Sequence, residues 1–137
     1  MIEDDIKIKD TEVFKKYIDV ASAFNLKHLI FGSVYTPPSW NLDPVIATFL
    51  GRDGAAIDLY GNLHGGFVYF TRECIQYAGL FDEQYVNAVE HIDHTYRICT
   101  MGMYTPFWAF ADIHDSNKYL EDEQPNSPST INNRSEL

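Results

Sequence analysis

Apolar residues in this chain come in short runs, and their length constrains the fold more than any other feature. "KHLIFGSVY" (27–35), "HGGFVYFT" (64–71) and "MYTPFWAFADI" (103–113) are each of strand length. Two other stretches repeat at helical spacing. Val13, Phe14, Tyr17, Ile18, Ala21 and Phe24 follow Asp10, which is placed to cap an amphipathic helix of about 14 residues. A second helix is expected from about Glu90 to Met101, with acids in its first turn, where the helix dipole favours them, and Gly102 as its stop. Strands interleaved with helices predict an α/β fold.

Smaller signals fill the gaps. "DDIKIKD" alternates Ile6 and Ile8 with polar residues, as a short strand does. "TPPSWNLDP" reads as a loop, because Pro37, Pro38 and Pro44 lack the backbone donors that regular structure uses. "VIATFLGRDGAAIDLYG" reads as a hairpin turning at Arg52, Asp53 and Gly54. Thr71 is placed to cap the short helix "RECIQYA", Gly79 to end it, and "GLFDEQYVNAV" follows as an ordered loop. From Glu121 onward "EDEQPNSPSTINNRSEL" has almost nothing to bury, so residues 1–120 are expected to form one domain and residues 121–137 a disordered acidic and polar tail.

Bulk properties narrow the partners and the compartment. A length of 137 residues suits a single domain with a real core. A net charge of −10 without any Lys/Arg cluster argues against nucleic acid as a partner. Cys74 and Cys99 lack CxxC spacing and read as buried thiols of a reducing compartment. No apolar run reaches the ~18 residues of a membrane span, and "MIEDDIKIKD" lacks the basic and apolar regions of a targeting peptide. A soluble cytoplasmic chain without a membrane span is the expectation.

Four motifs carry chemistry, each with a plainer reading beside it. "IEDDI" sets Glu3 and Asp5 one residue apart, where carboxylate oxygens suit Mg²⁺ or Mn²⁺, although a run of acids is more often solvated charge. "EHIDH" gathers Glu90, His91, Asp93 and His94. It is material for acid/base chemistry, because histidine titrates near neutral pH beside carboxylates, or else a solvated helix end. Zinc fits less well, since the HExxH spacing is missing. Gly65 and Gly66, after His64, enter a strand where bare backbone serves a turn or a ligand's approach. Trp40 and Trp108 can stack on sugar rings or simply be buried, and His114, flanked by Asp112 and Asp115, follows the last strand.

The order of these pieces resembles the second half of glycosyltransferase family 2 enzymes of the GT-A fold. That family has an acidic DxD-type motif, then a helix, a Gly-containing strand followed by "R…GLFDE", and an "ED" or "EH" motif opening a helix that continues to "R…G". "EDDIKIKDTEVFKKYI", "GGFVYFTRECIQYAGLFDEQY" and "VEHIDHTYRICTMGM" match in order and spacing, and the similarity covers roughly Ile2 to Tyr119.

The resemblance implies a partial GT-A fold and transfer of a sugar from a nucleotide-sugar donor to an acceptor hydroxyl of a glycan or another molecule, in polysaccharide biosynthesis. It implies an inverting reaction with Mn²⁺ or Mg²⁺ on the diphosphate. Glu3 and Asp5 fall on the outer acids of the DxD motif, and His114 falls where many such enzymes place a histidine ligand for the metal. Glu90 and His91 fall on the pair that supplies the catalytic base, with Asp93 close behind. The commonest family pattern has Asp where this chain has His91, so the base stays open among these three. His64, Gly65, Gly66, Trp40 and Trp108 would line the substrate site. Only Met1 and Ile2 precede the acidic motif here, whereas the family places its nucleotide-binding βα units there. The expectation is therefore a fragment, inactive alone, that needs a separate donor-binding half or self-associates through an exposed sheet edge. The alternative is a non-catalytic truncated remnant that binds a partner or a glycan.

Overall fold

The computed structural model describes residues 1–32, 45–61, 65–85, 90–103 and 109–123. His64, Trp40, Trp108 and the Pro-rich "TPPSWNLDP" segment lie outside the described residues. The described chain is a mixed α and β structure. Its elements are β1 (Ile6–Ile8), α1 (Glu12–Phe24), β2 (His28–Ile30), β3 (Ala47–Leu50), β4 (Ala56–Tyr60), β5 (Val68–Phe70), α2 (Arg72–Ala78), α3 (Glu90–Thr100), β6 (Phe110–Ile113) and β7 (Leu120–Asp122). The strands form three small sheets, β1–β7, β2–β5 and β3–β4–β6, and every pairing among the described residues is antiparallel. None of their helices is long and apolar enough to cross a membrane.

Local chemistry accounts for most element boundaries. The Asp10 carboxylate accepts from the Glu12 backbone N–H at 2.9 Å, so the expected cap acts from just outside the helix. At the far end Asn25 takes the left-handed conformation, with φ 54°, and Leu26 N–H reaches Ala21 O at 2.8 Å while Asn25 N–H reaches Ser22 O at 3.2 Å. That pair of bonds closes the last turn as a Schellman motif. Gly102, at φ 74°, ends α3 in the same way, through Met103 N–H to Ile98 O and Gly102 N–H to Cys99 O. Thr71 Oγ1 caps α2 by accepting from Cys74 N–H at 3.1 Å, and Gly79, at φ 78°, ends it. The β3–β4 hairpin turns through one 3₁₀ turn at Arg52–Gly54, with Asp53 and Gly54 both at positive φ.

Two sequence expectations change. The buried face of α1 is Val13, Tyr17, Val20 and Ala21, whereas Phe14 and Ile18 are 50% and 51% exposed. At roughly 100° per residue, 13, 17 and 20 cluster on one line of the helix, and 14 and 18 lie round the flank from it. Strand β7 also carries pairing with β1 through Glu121 and Asp122, and Glu123 N–H donates to Asp5 O at 2.8 Å. Ordered structure therefore runs past residue 120 into what composition assigned to the tail. The cross-strand partners of Ile6 and Lys7 supply the reason, and composition does not see them.

The main core joins α1 to β1, β2, β4, β6 and β7. Tyr17, Leu29, Phe31, Ile57, Leu59, Ile113 and Leu120 are fully buried, and the Tyr17 ring lies 4.9 Å from that of Phe67. Strand β6 also lies beside β2. A buried carboxylate ties these layers together: Asp112 of β6 accepts from Tyr17 Oη at 2.5 Å, from Gly32 N–H at 2.7 Å and from Ile113 N–H at 2.8 Å. Sequence reading treated Asp112 only as a neighbour of His114.

Candidate functional site

The start of the chain runs antiparallel to β5. The Met1 ammonium donates to Val68 O at 2.8 Å, Val68 N–H donates to Met1 O at 2.9 Å, and Ile2 pairs with Phe67. Glu3 N–H then donates to Gly66 O at 2.8 Å. This pairing delivers the acidic segment to the Gly-Gly entry of β5, where the first turn of α3 also arrives. A methyl group built on Gly65 would stand 2.8 Å from Cγ, 2.9 Å from Cβ and 3.2 Å from Nδ1 of His91. Gly65 is therefore bare because an imidazole rests on it.

Glu3, Gly65, Gly66, Glu90 and His91, from three separate stretches of sequence, thus form one neighbourhood. Its electrostatics are those of crowded acids. Burial pushes the Glu3 carboxyl above its ordinary value, and the charges of Asp5, Glu90, Asp4 and Asp122 push the same way. Burial and then the Asp122 charge raise Asp5 similarly. Asp5 Oδ1 and Glu90 Oε2 are buried and have no hydrogen-bond partner among the described residues. His91 Nδ1 is 3.9 Å from Glu90 Oε1, and burial lowers the imidazole's proton affinity while the Glu90 carboxylate partly restores it.

Unpartnered carboxylate oxygens amid mutually repelling acids suit a hard divalent cation. The fit is incomplete, because no three His, Cys, Asp or Glu side chains among the described residues are grouped to hold a metal ion. His114 has other company. Its Nδ1 lies 2.9 Å and 3.1 Å from the two carboxylate oxygens of Asp58, which also accepts from Thr48 Oγ1 at 2.6 Å. His114 Nε2 faces Asp115 Oδ1 at 3.6 Å. Its observed partners are thus Asp58 and Asp115, and none is Glu3 or Asp5.

Asp93 has a partner of its own. Its carboxylate accepts from Arg97 Nε at 2.9 Å, one turn along the helix, while Arg97 Nη1 and Nη2 donate to Ala78 O at 2.7 Å and Leu80 O at 2.8 Å. His94 Nε2 lies 2.7 Å from Gly79 O. Three successive carbonyls, from the last residue of α2 onward, are therefore held by side chains of α3, and Asp93 serves to hold Arg97. The i,i+4 spacing of Asp93 and Arg97 was visible in the sequence, but the carbonyls that Arg97 also binds were not.

His28 escaped sequence reading altogether. It is buried, stacked on Phe70 with ring centroids 5.1 Å apart, and its Nε2 has no partner among the described residues. Burial, with a lesser push from His94, lowers it to about 3. Nothing about "KHLIF" signals it beyond a polar residue leading an apolar run. Comparison of the chain with protein-family models, with curated proteins and with solved structures finds no match.

Proposed function

We propose that this chain is the metal- and acceptor-side part of an inverting glycosyltransferase of the family 2 type, which transfers a sugar from a nucleotide-sugar donor to an acceptor hydroxyl. One observation carries the reading: the acidic segment, the Gly-Gly strand entry and the "EH" helix start, far apart in sequence, meet at Glu3, Gly65 and His91. A Mn²⁺ or Mg²⁺ ion held by Glu3 and Asp5 would neutralise charge on the leaving diphosphate.

His91 is the better base of the remaining pair. Burial keeps its imidazole neutral, so it is free to take the acceptor's proton, and Glu90 stands where it stabilises the imidazolium that results. The hydroxyl oxygen then attacks the anomeric carbon from the face opposite the diphosphate, which inverts the configuration. The test joins this chain to a complete donor-binding half. His91→Ala and Glu90→Gln should each cut kcat by ~10²–10⁴-fold with donor affinity nearly unchanged. Asp93→Asn should act on stability instead. Wild-type kcat in both of the first two variants would remove the catalytic assignment.

A further inference from the structure

Behind the candidate turn lies a ladder of rings, its two histidines buried, that the proposed chemistry does not use. His28 stacks on Phe70, Phe70 meets His94 edge-on at 5.0 Å, and His94 stacks on Phe81 at 4.6 Å. His94 is fully buried and lies one helical turn after Glu90, on the same face of α3. Its Nε2 touches a carbonyl oxygen, Gly79 O, which only accepts, so Nε2 carries the hydrogen and Nδ1 holds the lone pair. Nδ1 is buried without a partner among the described residues, as is Nε2 of His28.

A proton arriving at His94 can only go to Nδ1, where no acceptor among the described residues meets it. The charged groups around the ring do not help. On α3, the Arg97 guanidinium opposes a positive imidazole, and the Asp93 carboxylate that favours it is engaged with Arg97. Among the described residues β5 brings the uncharged ring of Phe70, and the loop after α2 brings that of Phe81. From β2 comes His28, whose Nε2 has no partner among the described residues, and Lys27 just before that strand is paired with Glu73 of α2 at 2.7 Å. Cys74 of α2 is buried, and burial keeps its thiol protonated. A protonated ring is stable only after leaving this setting.

We infer that His94 is a positioning residue that holds the first turn of α3 against Gly65 while neutral and releases it on protonation, making the site's geometry sensitive to mild acid. This rests on reading Glu90 and His91 as the reacting turn, but its test needs neither sugar nor transfer, so either idea can fail without the other. Burial already lowers the His94 imidazole, as the ring's surroundings require.

The experiment follows imidazole ¹⁵N spectra and amide hydrogen exchange of the full chain at pH 7 and pH 5. At pH 7 His94 should be the neutral tautomer with its hydrogen on Nε2. By pH 5, Ile92 to Thr100 should lose at least ~10-fold more protection than Ile57 to Leu59 of β4, since a group that binds a proton only when released shifts the balance tenfold per pH unit. His94→Gln keeps a donor for Gly79 O without titrating and should abolish the difference. Persistence of the difference in that variant, or its absence in the wild type, overturns the inference. Should the variant fail to fold, the wild-type spectra decide: His94 doubly protonated while α3 keeps its protection overturns it, and loss of protection in step with that protonation supports it.

Discussion

Burial acts on Asp112 and His28 in opposite senses. Burial pushes Asp112 up to about 7 against hydrogen bonds from Ser116, Tyr17, Gly32 and Ile113 that pull it down. Its native form thus holds a proton that the unfolded chain has released above the ordinary 3.8, and stability from this group falls as pH rises from there through about 7. His28 runs the other way. With a folded value of about 3 against an ordinary 6.5, the unfolded chain binds the extra proton, so stability present above pH 6.5 is lost as pH falls toward 3. His28→Phe keeps the stack on Phe70 and removes the titration. Comparing urea midpoints of wild type and variant cancels the Asp112 contribution. The variant should gain on the wild type by on the order of 2 kcal/mol between pH 7 and pH 5. A difference independent of pH would mean that His28 is not held neutral.

Helix α2 was legible because its signals are local. Thr71 and Gly79 bracket it, and both act as their chemistry predicts. Helix α1 was legible in extent but not in facing, since Phe14 and Ile18 are as apolar as Val13 and Tyr17 and only the layer beneath decides which are covered. The α3 side chains mark a further limit. The family resemblance put Glu90 and His91 at the base's place and left Asp93 open beside them, whereas the carbonyls of Ala78, Gly79 and Leu80, brought by the packing of α2 on α3, engage Arg97, the partner of Asp93, and His94. Arg97→Lys keeps the charge but loses the planar fork, so at least one of those carbonyls goes unbound. A loss of ~1–2 kcal/mol in chemical denaturation is expected, with α3 amides exchanging faster. An unchanged midpoint would show the clamp to be ornamental.

Across the whole molecule, strand pairs link positions that the chain holds far apart. Strand β1 pairs with β7, the Met1–Glu3 stretch with the start of β5, and β6 with β4. This closing of distant segments is what composition could not foresee at residue 121, and it is also why Glu3 reaches Gly66. Compared with a chain ended after Glu123, one ended after Tyr119 should lose the burial of Leu120 and the pairing of β1. The expected loss is about 2–3 kcal/mol in a thermal or urea titration. Equal stability of the two would show that β7 adds nothing.

The bond between Tyr17 and Asp112 has a consequence for descent. It crosses from helix to sheet inside the core, and neither partner can meet water there. Losing Tyr17 costs Asp112 one donor of several, whereas losing Asp112 leaves both the Tyr17 hydroxyl and the Gly32 N–H without their acceptor. Position 112 should therefore be the slower letter to change in related chains, and position 17 should change more readily wherever 112 keeps its acid, while each neighbour in the core drifts on its own.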